Sequence, residues 1–117
     1  MKVIVDTSVW SLALRRDKEV PPAPVQELRK IIHSHRVQMI GPLRQEILSG
    51  IRSESQFIKL RNHLESFPDL PILTEDYITA AQFFNHCRSK GIQGSNTDFL
   101  ICAVAVRNKF SIYTTDQ

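Results

Sequence analysis

Apolar residues fall along this chain in two patterns, short unbroken runs and longer stretches stepped at three and four residues. Val3, Ile4 and Val5 form a β-branched run, the pattern of a strand buried on both faces in a parallel sheet rather than of a half-exposed hairpin strand. Ser8 to Leu14 then suits a short helix, and Arg15, Arg16, Asp17 and Lys18 make a charged exit from it. Pro24 to Ser34 places Val25, Leu28, Ile31 and Ile32 on one helical face, with Arg29 and Lys30 outside it. Val37 to Ile40 is a second strand, closed by Gly41 and Pro42. In the helix that Pro42 opens, Leu43, Ile47 and Leu48 face the core, Glu46 lies one turn in, and Gly50 ends the element.

Ser53 with Gln56 three residues on resembles a capping box, opening a helix through Phe57, Ile58, Leu60, Leu64 and Phe67. Leu70, Ile72 and Leu73 read as a short edge strand or an extended link. Thr74 is the expected cap of a helix over Glu75 to Lys90, ended by Gly91. Gly94, Ser95, Asn96 and Thr97 make a loop before Asp98. Phe99 to Val106 is apolar on nearly every side, which marks a central helix. Ser111 to Thr114 is the last strand, delivering Thr115 and Asp116 just before Gln117. Strands alternating with helices predict an α/β fold, an α/β/α sandwich with a central parallel sheet, in a single domain over residues 1–117.

Composition narrows the class. At 117 residues the chain can bury a core without disulfides or a structural metal. Cys87 and Cys102 lack any ligand-spaced His or Cys and read as buried or idle thiols in a reducing cytosol. No signal peptide or membrane-length apolar run is present, so a cytoplasmic protein without a membrane partner is expected. Fifteen Lys and Arg against twelve Asp and Glu give a formal charge of +3, a small lean toward nucleic acid.

The acids carry the chemistry. Asp6 directly follows the first strand, with Thr7 and Ser8 behind it, and ligands of open α/β sheets bind outside the carboxyl edge of the strands. A second reading makes Asp6 or Thr7 the cap of the next helix. Asp116 follows the last strand as Asp6 follows the first, while Glu46 and Asp98 lie in early turns of helices rising from the same edge. Each has an ordinary reading as a turn acid or a partner of the helix dipole. Four carboxylates at one edge repel unless a cation lies between them. Oxygen donors without His favour magnesium or manganese, which would polarise a phosphate and lower the pKa of an attacking water.

These residues resemble the PIN-domain ribonucleases, and among them the VapC-type toxins of VapBC toxin-antitoxin pairs. VIVDTSVW looks like the family's first motif, carrying its first metal-binding acid to Asp6 with Ser8 as a supporting hydroxyl. RQEILSGIR carries the helical glutamate to Glu46, NTDFLICAVAV the third acid to Asp98, and YTTDQ the fourth to Asp116, with Thr114 as a second supporting hydroxyl. The resemblance implies a Mg2+- or Mn2+-dependent endoribonuclease with RNA as substrate, a homodimer, and a cognate antitoxin whose tail crosses the groove. Family members continue past the fourth acid into a last strand, whereas this sequence ends at Gln117, so the sheet is expected to lack that strand.

His33, His35, His63 and His86 fall away from the proposed edge and read as surface. Arg44 and Arg52, near Glu46, suit either phosphate or solvent. Ile51, Phe57, Ile58 and Leu60 are the candidate dimer surface. Two rival classes stand beside the nuclease: a catalytically degenerate PIN-like module binding RNA or protein, and a phosphoacceptor domain. The latter normally has paired acids after its first strand, where Asp6 has hydroxyls.

Overall fold

The computed structural model describes residues 1–14 and 22–115. Arg15 to Lys18 and Asp116 therefore lie outside the described residues. Three parallel strands, β1 (Val3–Val5), β2 (Val37–Gln38) and β3 (Ser111–Tyr113), are flanked by six described helices. These are α1 (Thr7–Ala13), α2 (Ala23–His33), α3 (Gly41–Leu48), α4 (Glu54–Leu64), α5 (Thr74–Ser89) and α6 (Asn96–Asn108). No helix among the described residues is long and apolar enough to cross a membrane.

The strand order is β2-β1-β3. The chain leaves β1 toward one side to form β2 and returns on the other to form β3, so the connections diverge between β1 and β3. That divergence opens a crevice at the carboxyl ends of the two strands. All of β1 is buried, as its unbroken β-branched run requires. The ladder runs past Val5↔Tyr113, with the Asp6 N–H donating to the Tyr113 carbonyl at 2.9 Å, which sets Asp6 beside Thr114. Trp10 ties α1 back to the strand by donating its indole N–H to the Val5 carbonyl at 3.1 Å.

Helix α6 is the central helix its composition predicts, with Phe99, Leu100, Ile101, Ala103, Val104 and Ala105 all buried. It packs most extensively on α5, where Phe84 meets Phe99 edge to face. The helices expected from apolar spacing are present, most with ends shifted by a residue or so; α4 stops at Leu64 rather than Phe67, and α6 runs from Asn96 to Asn108 rather than from Phe99 to Val106, because Ser95 caps it and takes Asn96 and Thr97 out of the expected loop into its first turn. Ser53 caps α4 by accepting the Gln56 N–H. Thr74 does not cap α5: the Asp76 carboxylate accepts the Leu73 N–H at 2.9 Å instead, because the third helical residue reaches back over the first turn. The ambiguous stretch after α4 is an extended link, joined to the edge of β2 by a parallel bridge between Met39 and Asp69 and by the Gln38 amide donating to the Pro68 carbonyl.

Arg44 is a clamp rather than a phosphate ligand. Its guanidinium donates to the Leu64 and Phe67 carbonyls and pairs with Asp69, fastening α3 to the end of α4. Leu60 is buried in the main core and Ile51 packs against it, so neither is surplus apolar surface; Ile58 is exposed.

Candidate active site

Asp6 is the N-cap residue of α1 by position, yet its side chain caps nothing. Its Oδ2 accepts the Thr114 hydroxyl at 2.9 Å and the Ser8 hydroxyl at 3.0 Å. The Ser8 Oγ in turn accepts the Thr115 N–H at 3.2 Å. The two hydroxyls therefore bind one carboxylate oxygen and fasten the end of β3 to the start of α1. Although Asp6 is only 8 % exposed, no cation pairs with it among the described residues. A buried carboxylate held only by hydroxyls is an uncommon arrangement, since buried charges are ordinarily paired. Capping, the competing explanation for this acid, does not account for its geometry.

Asp98 enters the same place from α6. Ser95 and Asp98 form a reciprocal capping box: the Ser95 Oγ accepts the Asp98 N–H and the Asp98 Oδ2 accepts the Ser95 N–H, both at 3.1 Å. The helix dipole and this box fix an exposed carboxylate at the head of a buried helix. Capping and presentation to solvent coexist here, because the box uses one oxygen of the two.

An open cleft of about 480 Å3 is lined by Asp6, Asp98 and Thr114, together with Gln93, Ile101, Cys102 and Ile112. The structure thus brings together two of the four predicted acids and one supporting hydroxyl, with Ser8 bonded to Asp6 and 3.3 Å from the Thr114 hydroxyl. Glu46 is not among the residues lining the cleft. Because α3 starts at Gly41, Glu46 is its sixth residue and stands in the second turn, roughly 7 Å along the axis from the helix start. The four histidines are exposed and none lines the cleft. A roomier hollow of about 710 Å3, around Trp10, Leu28, Leu60 and Phe67, has no acid among the described residues of its lining.

Four cleft residues, Gln93, Ile101, Cys102 and Ile112, were not singled out for the site from sequence. Cys102 is one helical turn beyond Asp98, a spacing that held the signal. Gln93 sits in the loop before α6, and Ile112 follows the register of β3. Burial, with the charges of Asp98 and Asp6 and the nearby Cys87, pushes the Cys102 thiol above its ordinary value. It therefore stays protonated near neutrality.

Among the described residues no group of three His, Cys, Asp or Glu side chains stands close enough to hold an ion. Two carboxylates with an adjacent hydroxyl suit a hard cation that keeps most of its waters, the habit of magnesium, better than one needing a full protein cage.

Known proteins give the same frame. No curated protein matches the sequence. Among solved structures, the crystal structure of FitAcB from Neisseria gonorrhoeae superposes with a TM-score of 0.71 at 22% identity, covering 97% of this chain and 87% of that one. VapBC2 from Rickettsia felis, bound to a DNA fragment from their promoter, gives 0.70 at 15% identity over 99% and 88% of the two chains. At these identities the likeness concerns the fold. The sequence pattern of the PIN domain matches residues 3–117, and the chain belongs to the PIN-domain family.

Proposed function

We propose that the protein is a divalent-metal-dependent endoribonuclease, acting as the toxin of a toxin-antitoxin pair. PIN domains are generally nucleases, and both structural neighbours are toxin-antitoxin complexes. The observation that carries the reading is Asp6, a buried carboxylate with no cationic partner among the described residues, held by two hydroxyls in a cleft shared with Asp98.

Asp6 and Asp98 would hold Mg2+ or Mn2+, which when bound supplies positive charge to the scissile phosphate and acidity to a water. The chain's own part is orientation. Ser8 and Thr114 hold Oδ2 of Asp6 and the Ser95 box holds Oδ2 of Asp98, so each carboxylate would keep its other oxygen for the ion. Glu46 and Asp116, matched by the family motifs, are proposed as the further acids of the metal site, with Glu46, outside the cleft lining, acting through water. An antitoxin and a second copy of the chain are the proposed protein partners, and the cytoplasm the proposed location.

The test is cleavage of structured and single-stranded RNA by purified protein with Mg2+, Mn2+ or chelator. Metal-dependent cleavage lost in Asp6→Asn and Asp98→Asn supports the reading. Absence of cleavage by a folded wild type across a broad RNA panel favours the non-cleaving binding module instead.

A further inference from the structure

The described lining of the cleft contains two carboxylates and no Lys, Arg or His. A polyanion entering it meets no protein cation there, so its phosphates gain little from the cleft walls themselves. Whatever else fixes an RNA strand at this point must act on its uncharged parts, the base and sugar. Hydroxyl chemistry is already committed, since Thr114 donates to Asp6. The remaining lining group with N–H donors is the Gln93 amide, which offers two donors and an acceptor.

Gln93 is exposed and makes no hydrogen bond within the described residues. Its backbone is nonetheless pinned. Gly91, at φ +75, takes the left-handed conformation that ends α5, and a Cβ on Gly94 would come within 3.0 Å of the Phe99 ring. Gly94 therefore lies flat on α6, and the next residue, Ser95, is locked to Asp98. A long amide side chain thus springs from a base held in register with a cleft acid. Ile112, 38 % exposed on β3, adds an aliphatic surface to the same cleft.

We infer that Gln93, with Ile112, forms a nucleobase subsite: the amide hydrogen-bonds the edge of the base beside the scissile phosphate while Ile112 packs on its face. Gln93 then sets base preference. The inference rests on the ribonuclease reading for the identity of the scissile phosphate, and its test separates the two.

Wild type, Gln93→Ala and Gln93→Asn are compared on homopolymeric RNA oligonucleotides of A, C, G and U. Binding is read by fluorescence anisotropy with Ca2+ in place of Mg2+, and cleavage with Mg2+. Wild type should prefer one base in both assays. Gln93→Ala should flatten that preference, weakening the favoured oligonucleotide by roughly 5- to 100-fold, the range for a two-point amide contact to a base. The loss should fall on KM, with kcat within about threefold and the thermal midpoint unchanged. Gln93→Asn, which keeps the amide on a shorter stem, should recover part of the preference. An unchanged base preference in Gln93→Ala overturns the inference, as does an equal fall in kcat accompanied by a lower midpoint. Base-selective binding by a wild type that never cleaves would defeat the ribonuclease reading while leaving the subsite standing. No binding to any of the four overturns both.

Discussion

Two charged side chains are buried among the described residues, Asp6 and Asp76, and the protein treats them oppositely. Asp76, 1 % exposed, has both oxygens filled: Arg107 donates Nε to Oδ1 at 2.7 Å and Nη2 to Oδ2 at 2.9 Å, and the Leu73 N–H adds a third bond. Its charge is neutralised and its geometry closed. Asp6 has hydroxyls on one oxygen and no cationic partner among the described residues, and it opens onto a cleft with a second acid. Burial of an acid is thus common to a fastening and a site; the distinction lies in whether the protein supplies the counter-charge.

The sharpest way to break this comparison is to remove charge without changing shape. Asp6→Asn and Asp98→Asn should each lower metal-dependent RNA cleavage by on the order of 100-fold or more, with circular dichroism and melting behaviour close to wild type. Melting should even rise slightly for Asp6→Asn, because an unpaired buried charge has been removed. If Asp6→Asn instead unfolded the protein, Asp6 would belong with Asp76 as a structural acid.

Ser8→Ala and Thr114→Val come next. Each leaves Asp6 in place but removes one of the two hydroxyls on its Oδ2, and second contacts to a metal-binding group are worth roughly 10-fold or more in activity when lost. The double variant should cost less than the product of the two, since both hydroxyls serve one oxygen and lie 3.3 Å apart. Strict additivity in cleavage assays would show the two acting on different groups.

The sequence disclosed what depends on neighbours in the chain. A β-branched run ending in Asp6, and an all-round apolar helix headed by Asp98, put both acids at an edge without any knowledge of contacts. In the structure β1 is buried throughout and α6 buries Phe99 to Ile101 and Ala103 to Ala105, while Val106 is exposed. What stayed hidden depends on residues far apart in sequence. Arg107 meets Asp76 across 31 positions, and Arg44 reaches the Leu64 and Phe67 carbonyls across 20 and 23; exposed helical arginines carry no sign of such partners. The place of Gln93 in the cleft follows from how two glycines fold the α5–α6 loop, a matter of backbone angle and ring contact.

A smaller effect is expected at Glu46, which stands a turn deeper in α3 than the edge itself and does not line the cleft. Glu46→Gln should reduce cleavage by about tenfold or less, through a water rather than by direct ligation. A loss matching that of Asp98→Asn would move Glu46 into direct contact with the ion and would require α3 to shift when metal binds.

The smallest effect on cleavage, and the clearest on stability, belongs to Asp76. Asp76→Asn keeps the volume but surrenders the charge in its bonds to Arg107, at a cost on the order of 2 kcal/mol for hydrogen bonds involving charged groups. Cleavage per folded molecule should be unchanged. The pH dependence separates this from a packing effect. Hydrogen bonding by Arg107 holds the Asp76 carboxyl below its ordinary value, against burial, with the Leu73 N–H assisting. A carboxyl whose native pKa lies below its unfolded pKa stabilises the fold fully above about pH 4, and that contribution fades as the pH falls through the native pKa. Urea unfolding at neutral pH should therefore show wild type ahead of Asp76→Asn, and the gap should narrow steadily below about pH 4. A gap that stayed constant to low pH would assign the loss to packing alone, and Asp76 would no longer be the paired counterpart against which the unpaired Asp6 is judged.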